Sequence, residues 1–424
     1  MLFYIIIYLY NQAIIIYFWN LEAIFIITGI ITEYNPFHEG HKYHLEQCIK
    51  DTNASSIVCV MSGNFMQRGI PAIVDKWKRT EMALKNGVDL VLELPLVYSI
   101  SSAEHFAFGS VSLLNSLGII DNIYFGSEEG NVEPLKKIAD VLSSEPDDFK
   151  EILKKNLKCG LPFHSSRSLA LNEYLRCSDV EDILSNSNNI LGIEYLKALN
   201  TLNSSITPYT LKRKGSKYND EDVDKLFSSA TSIRKHLKTG SLDNLTDILP
   251  PETYEIMENL NSNHYPFIFE EDMFKYIKFR LLTENDCLKN LPDVAEGIDN
   301  KIYKEILNCS SLNELILKVK SKRYTYTRIN RILAQYFLGL DKYDLLSLTK
   351  EPAPYARVLG FTSKGRDVLK KMKETCSIDI ITKVPRKNFS THMELDILGT
   401  KAYSIVNPAV NPMADYLNGP VIIK

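Results

Sequence analysis

What most restricts the fold of this chain is a recurring unit: a short apolar run, a turn, then a stretch of helical periodicity. The apolar runs are Ile24–Thr32, Ser56–Met61, Val88–Leu94 and Asn122–Phe125, and helical segments over His38–Lys50, Asp75–Asn86 and Ala103–Leu117 separate them. Apolar runs without polar alternation suit strands buried on both faces, which need helices on both sides of a parallel sheet. The pattern therefore predicts an α/β fold with a Rossmann-like parallel sheet. Pro208–Lys212 is a candidate further strand, and from about Ser241 the periodicity becomes mainly helical. Pro250-Pro251 and the Asn-rich stretch Asn259–His264 mark a boundary between the two parts.

Charge and cysteine usage exclude some classes of protein. The net charge of −3 supplies no global basic field, so any nucleic-acid contact must come from a local patch. The seven cysteines are dispersed and form no Cys-x-x-Cys, which argues against a disulfide framework or a zinc ribbon and favours a reducing, cytoplasmic setting. Residues 1–24 are rich in Ile, Tyr and Phe, but Asn11, Gln12, Asn20 and Glu22 interrupt them and no Lys or Arg precedes Lys42. A membrane helix needs about 20 consecutive apolar residues and usually a basic flank. The segment is therefore read as an accessory or mis-started extension, with no membrane expected and a membrane anchor as the competing reading.

Chemistry concentrates after the first strand. Three of the eight histidines, His38, His41 and His44, fall within seven residues at the start of the first helix. The i, i+3 spacing puts His38 and His41 on one helix face. In open parallel sheets ligands bind beyond the carboxyl ends of the strands, where a helix start offers free N–H groups and a positive dipole. Gly40 is expected to admit a close approach there, and the imidazoles to donate to phosphate oxygens that gain charge during nucleotidyl transfer. Zinc is a competing reading, weakened by the i, i+3 rather than i, i+4 spacing. Ordinary surface or core histidines are another.

Several ordered stretches carry a resemblance. Ile30-Ile31-Thr32-Glu33-Tyr34-Asn35-Pro36-Phe37-His38-Glu39-Gly40-His41 resembles the opening of the tRNA(Met) cytidine acetate ligase (TmcAL) family, in the His-x-Gly-His nucleotidyltransferase superfamily. Met61–Gly69, Leu92–Pro95, Phe125–Glu128, Asn188–Leu196 and Ser229–Arg234 are similar to the same family in the same order. The resemblance runs from about Ile27 to the C-terminus. It implies a nucleotidyltransferase ATP-binding domain over residues 25–245 and a mainly helical tRNA-binding domain over residues 246–424. It also implies a two-step reaction, in which ATP and acetate form acetyl-adenylate and the acetyl group passes to the wobble cytidine of elongator tRNA(Met). The histidines His38 and His41 would be catalytic. The first loop, Ile31, Thr32, Glu33, Tyr34, Asn35, Pro36, Phe37, His38, Glu39, Gly40, His41, Lys42, Tyr43 and His44, would wrap ATP, joined by Gly126, Asn188, Arg213, Thr231 and Arg234.

Each outlying residue has an ordinary alternative. Gly126 suits a turn, Asn188 a helix cap, Arg213 a solvated strand end, and Thr231 with Arg234 a capped surface helix. Arg68, Lys76 and Arg79 lie near strand ends and are left outside the expected site. Magnesium is expected alongside a triphosphate, although no ligand set stands out. For tRNA, the basic stretch Lys318–Arg331, with Tyr324 and Tyr326 interleaved, is the expected surface, and Arg357–Lys371 adds a second. A solvated helix face, a small-molecule adenylyltransferase and an inactive RNA-binding relative are the readings that compete. The residues specify no oligomeric state.

Overall fold

The computed structural model describes residues 25–213, 230–239, 242–284, 287–387 and 389–424. Residues 1–24 and the Lys214-Gly215 and Ser228-Ser229 positions lie outside them. The expected strands are present as β1 (Ile27–Thr32), β2 (Ser56–Ser62), β3 (Leu90–Leu94), β4 (Asn122–Ser127) and β5 (Thr207–Lys212). They pair in parallel in the order β5-β4-β1-β2-β3. Because the chain grows outward from β1 in both directions, the strand order reverses between β1 and β4. That is the place where such sheets open a crevice beyond their carboxyl ends.

The absence of polar alternation follows from burial on two faces. All seven residues of β2 are buried. Val58 and Val60 join one core with Leu90, Leu92, Ile123 and Phe125. Ile57, Cys59 and Met61 point the other way, into a second core with Ile30, Val91 and Tyr124. Successive side chains alternate between faces, so a strand covered on both sides reads as a nearly continuous apolar run unless a buried charge is paired.

The sheet extends into the C-terminal half. There β6 (Tyr355–Phe361) pairs antiparallel with β3, and β7 (Asp379–Ile381) and β8 (Val421–Ile422) pair parallel with β6. Residues 246–424 are thus mainly helical but not separate from the sheet. Arg357 explains why β6 escapes a reading by hydropathy: a charge interrupts the run, yet it is buried in an ion-paired cluster. Lys76 Nζ lies 2.7 Å from Glu93 and 2.8 Å from Asp415, while Arg357 lies 3.0 Å from Glu93 and 2.7 Å from Asp415. Lys76 and Arg357 are therefore internal charges and are unavailable to phosphates. Further ties include Leu96 N–H to Asp396 (2.7 Å), Tyr403 O–H to the Ala72 carbonyl (2.9 Å) and Gln335 Nε2–H to the Ile100 carbonyl (2.8 Å). Among the described residues, no helix is long and apolar enough to cross a membrane.

Candidate active site

Helix α1 (Glu39–Thr52) begins at the switch point, and its first turn is built from the histidines themselves. His38 is the N-cap, with extended backbone, and its Nδ1 accepts the Gly40 N–H at 3.1 Å. His41 reciprocates: its Nδ1 accepts the His38 N–H at 3.3 Å. The two rings stack with centroids 3.7 Å apart. Tyr34 and Phe37 brace His41 from the side, at 4.9 and 5.6 Å between ring centroids. These two aromatics are buried and shape the platform.

This arrangement fixes protonation and tautomer together. Burial lowers the His38 imidazole to about 3, assisted by the positive charge of Arg213. Burial also holds His41 well below its ordinary value, and His44 at about 4. All three rings are neutral at neutral pH. A neutral imidazole whose Nδ1 accepts a hydrogen bond carries its proton on Nε2. His38 and His41 thus each keep one Nε2–H to donate outward.

Two expectations change here. The helix start does not offer free backbone N–H groups: Glu39 N–H goes to the Ile248 carbonyl at 3.0 Å, and Gly40 N–H goes to His38. Of the expected donors, the imidazoles remain. Gly40 makes room for a neighbouring side chain, since a Cβ there would sit 2.9 Å from His38 Cε1 and 3.1 Å from its Nδ1.

The rest of the first loop divides by role. Ile31 and Thr32 end β1, and Thr32 Oγ1 contacts Cys59 Sγ at 3.1 Å. Asn35 anchors the loop by accepting the Ile73 N–H at 2.7 Å, and Pro36 is buried beside it. Arg79, fully buried, donates to the carbonyls of Glu33, Ser62, Gly63 and Val74, tying the ends of β1 and β2 together. It is a brace rather than a ligand contact. Glu39 has Lys42, Glu46 and Glu252 as electrostatic neighbours, away from the arginines. Lys42 and Tyr43 are partly buried on α1, and His44 packs its ring 5.1 Å from Tyr124.

The outlying residues lie at the ends of β4 and β5 and on two helices. Gly126 faces Arg213: a Cβ there would meet Arg213 Cγ at 3.3 Å. Arg213 in turn is electrostatically coupled to all three histidines. Asn188 opens the helix Ser187–Thr201 beside β4, and its Nδ2–H donates to Glu128 at 2.6 Å. Glu128 also accepts the Asn188 and Asn189 backbone N–H groups, so the cap of that helix is Glu128 and not Asn188. Arg234, on the helix Ala230–Thr239, pairs loosely with Glu270 at 3.7 Å. Its charge also acts on Glu33. Thr231, at the exposed start of that helix, makes none of these contacts. Arg68, left aside by motif reasoning, is exposed and acts on both Glu33 and Arg213. Its place in Met61–Gly69, at the carboxyl end of β2, was the available signal.

The basic stretch of the C-terminal half is thinner than its composition. Tyr324 is buried with its O–H on the Glu296 carbonyl at 2.6 Å, so it is not a stacking platform. Arg331 is paired with Asp293 at 2.6 Å, and Lys318 with Glu314 at 2.8 Å. Lys320, Lys322 and Arg323 remain exposed.

Known proteins share this layout. A family model described as HIGH Nucleotidyl Transferase matches residues 26–416. The tRNA(Met) cytidine acetate ligase of Clostridium novyi is 52% identical over 401 residues, covering 94% of this chain and 100% of the relative. That of Clostridium acetobutylicum is 50% identical, with 94% and 100% covered. The apo crystal structure of Thermotoga maritima TmcAL superposes with a TM-score of 0.87 at 32% identity, covering 94% of this chain and 99% of that one. The form bound with alpha-thio ATP gives 0.86 at 31%. On this extent of likeness, the chain belongs to the tRNA(Met) cytidine acetate ligase family of HIGH nucleotidyl transferases.

Proposed function

We propose that the chain binds ATP in the crevice between β1 and β4, adenylates acetate, and transfers the acetyl group to the wobble cytidine of elongator tRNA(Met) in the cytoplasm. The observation that carries the site assignment is the pair of neutral, backbone-held imidazoles presenting Nε2–H groups at the switch point. In the first step an acetate oxygen attacks the α-phosphorus, the bond to the bridging oxygen breaks, and pyrophosphate leaves. Negative charge grows on the phosphate oxygens, which is what fixed, uncharged donors stabilise without prior reorganisation. His38 and His41 take this role. Arg213 and Arg234 hold the polyphosphate from the facing wall, and Gly126 keeps Arg213 close to the sheet edge. In the second step the exocyclic amine of cytidine attacks the acetyl carbonyl, AMP leaves, and the amine gives up a proton.

Magnesium enters as a companion of the substrate. Among the described residues the one cluster with metal-ligand spacing is Glu284, Cys287 and Asp341. Glu284 and Asp341 both pair with Arg280, so their carboxylates are already engaged by a side-chain cation. The exposed Lys320, Lys322 and Arg323 supply cationic surface for the tRNA backbone.

The test is incubation with ATP, labelled acetate and total tRNA, followed by nucleoside analysis, alongside His38→Ala and His41→Ala. Label is expected in acetylated cytidine with the native chain, and acetate-dependent pyrophosphate release should be lost in both variants while their melting transitions persist. Undiminished release in either variant refutes its catalytic role.

A further inference from the structure

We propose that Arg68 binds substrate directly, gripping an oxyanion of the adenylation reaction: the carboxylate of the acyl donor or the polyphosphate of ATP. The inference rests on the adenylation reading above.

The tip that carries Arg68 is braced on every side except that of its side chain. Phe65 and Pro71 form a β-bridge, Met66 N–H donates to the Ile70 carbonyl at 2.9 Å, and Gly69 N–H donates to the Met66 carbonyl at 2.9 Å. Gln67 is fixed twice: its N–H donates to Glu33 at 2.6 Å and its Nε2–H to the Ser101 carbonyl at 3.2 Å. Asn330 Nδ2–H donates to the Arg68 carbonyl at 2.9 Å. Gly69 adopts φ +75° against the helix Tyr326–Phe337, so closely that a Cβ would lie 2.4 Å from Arg331 N. No residue with a side chain could occupy that seat without moving the helix.

Against this rigid backbone, the Arg68 guanidinium is exposed and makes no hydrogen bond or ion pair among the described residues. Its field reaches Glu33, Arg213 and Arg234, which come from the end of β1, the end of β5 and the helix Ala230–Thr239. Arg213 and Arg234 therefore both lie within electrostatic reach of Arg68. Glu33, whose carboxyl group feels both Arg68 and Arg234, is pushed towards its neutral form by burial and spends one oxygen on Gln67. Like charges held together this way repel unless an anion lies between them, and a planar guanidinium suits carboxylate or phosphate equally. A surface arginine kept only for solubility needs no tip tied to three separate segments.

The experiment compares native protein, Arg68→Ala and Arg68→Lys in acetate-dependent ATP–pyrophosphate exchange, with ATP-analogue binding measured separately without acetate. Arg68→Ala should lower kcat/KM by about 10- to 100-fold, the scale of a lost charge-assisted hydrogen bond. Arg68→Lys should recover part of it, because charge returns without the planar fork. A raised KM for acetate with unchanged analogue binding assigns the carboxylate; weakened analogue binding assigns the polyphosphate. Constants for Arg68→Ala within about twofold of native overturn the inference. If native protein shows no acetate-dependent exchange, the adenylation reading fails on its own, and analogue binding then decides Arg68: unchanged binding in Arg68→Ala overturns its role.

Discussion

Gly40→Ala separates the geometry of the histidine pair from the stability of the fold. The new methyl group would lie 2.9 Å from His38 Cε1 and 3.1 Å from Nδ1, whereas carbon atoms in contact settle at about 3.5–4.0 Å. The ring must retreat by roughly 0.5–1 Å, which loosens its bond to the Gly40 N–H and its stack on His41. Losing a helix cap costs about 1 kcal/mol. Alanine in place of glycine returns up to about 1 kcal/mol of helix propensity. These offset, so the melting midpoint should move by no more than about 2–4 °C. The chemistry has no such offset. Misplacing a donor by about 1 Å costs on the order of 100-fold in rate, or about 2.7 kcal/mol of transition-state stabilisation. The assay is acetate-dependent ATP–pyrophosphate exchange beside a thermal melt, with His38→Ala as the reference for complete removal of the ring. Gly40→Ala that keeps native exchange would refute the reasoning, because the motif would then not depend on where His38 points. Loss of the fold would refute it as well, since helix propensity would then have failed to replace the cap.

Three further outcomes follow from other parts of the molecule. Folded-state values for His38 and His44, about 3 and about 4, lie below the ordinary 6.5, so the unfolded chain binds more protons than the folded one in that interval. Their contribution is complete above 6.5 and is lost as pH falls towards those values; each histidine should cost about 1 kcal/mol by pH 5.5 in urea titrations, and a flat stability profile from pH 7 to 5 would contradict it. Arg357→Ala strips one cation from the buried cluster with Lys76, Glu93 and Asp415. A loss of about 3–5 kcal/mol is expected by denaturant unfolding, and a shift under about 1 kcal/mol would show that the cluster does not need it. Replacing Lys320, Lys322 and Arg323 together by alanine should weaken tRNA binding and flatten its log–log salt dependence by about 0.7 for each phosphate no longer neutralised. Pyrophosphate exchange without tRNA should stay native; an unchanged salt slope would place the tRNA elsewhere.

What was legible in the sequence and what was not divide along a physical line. β1 to β4 announce themselves because a strand covered on both faces is mostly apolar, and Ile57 to Met61 meet that demand residue by residue; β5, exposed at both ends and only half-buried between them, shows itself only as a candidate. β6 does not, because Arg357 satisfies burial through Glu93 and Asp415, partners that lie far away in the chain and leave no local mark. The same limit affects the cations. Local composition counts Tyr324 and Arg331 as surface, but the Glu296 carbonyl and Asp293 take them inward. Arg68 shows the reverse: its place just past β2 is its one local mark, and its residue type alone does not separate it from Arg79, eleven positions on. Yet the Arg79 guanidinium is clamped by four carbonyls, and the Arg68 guanidinium makes no hydrogen bond or ion pair among the described residues.

The histidine motif itself shows how the fold selects among the donors that a local pattern offers. Sequence reasoning expects both the imidazoles and free N–H groups at the helix start to donate to an anion. The fold spends those groups on the Ile248 carbonyl and on His38, with a chemical result. Each backbone N–H given to an Nδ1 forces the imidazole proton to Nε2, so the helix start hands its donor function outward to rings that reach further from the sheet. Burial keeps those rings uncharged near Arg213, where protonated imidazoles would repel. On the proposed reading, a neutral donor pair near Arg213 would add hydrogen bonds to a polyphosphate without adding charge that would hold the departing pyrophosphate, a balance suited to a site that must release its product after every adenylation.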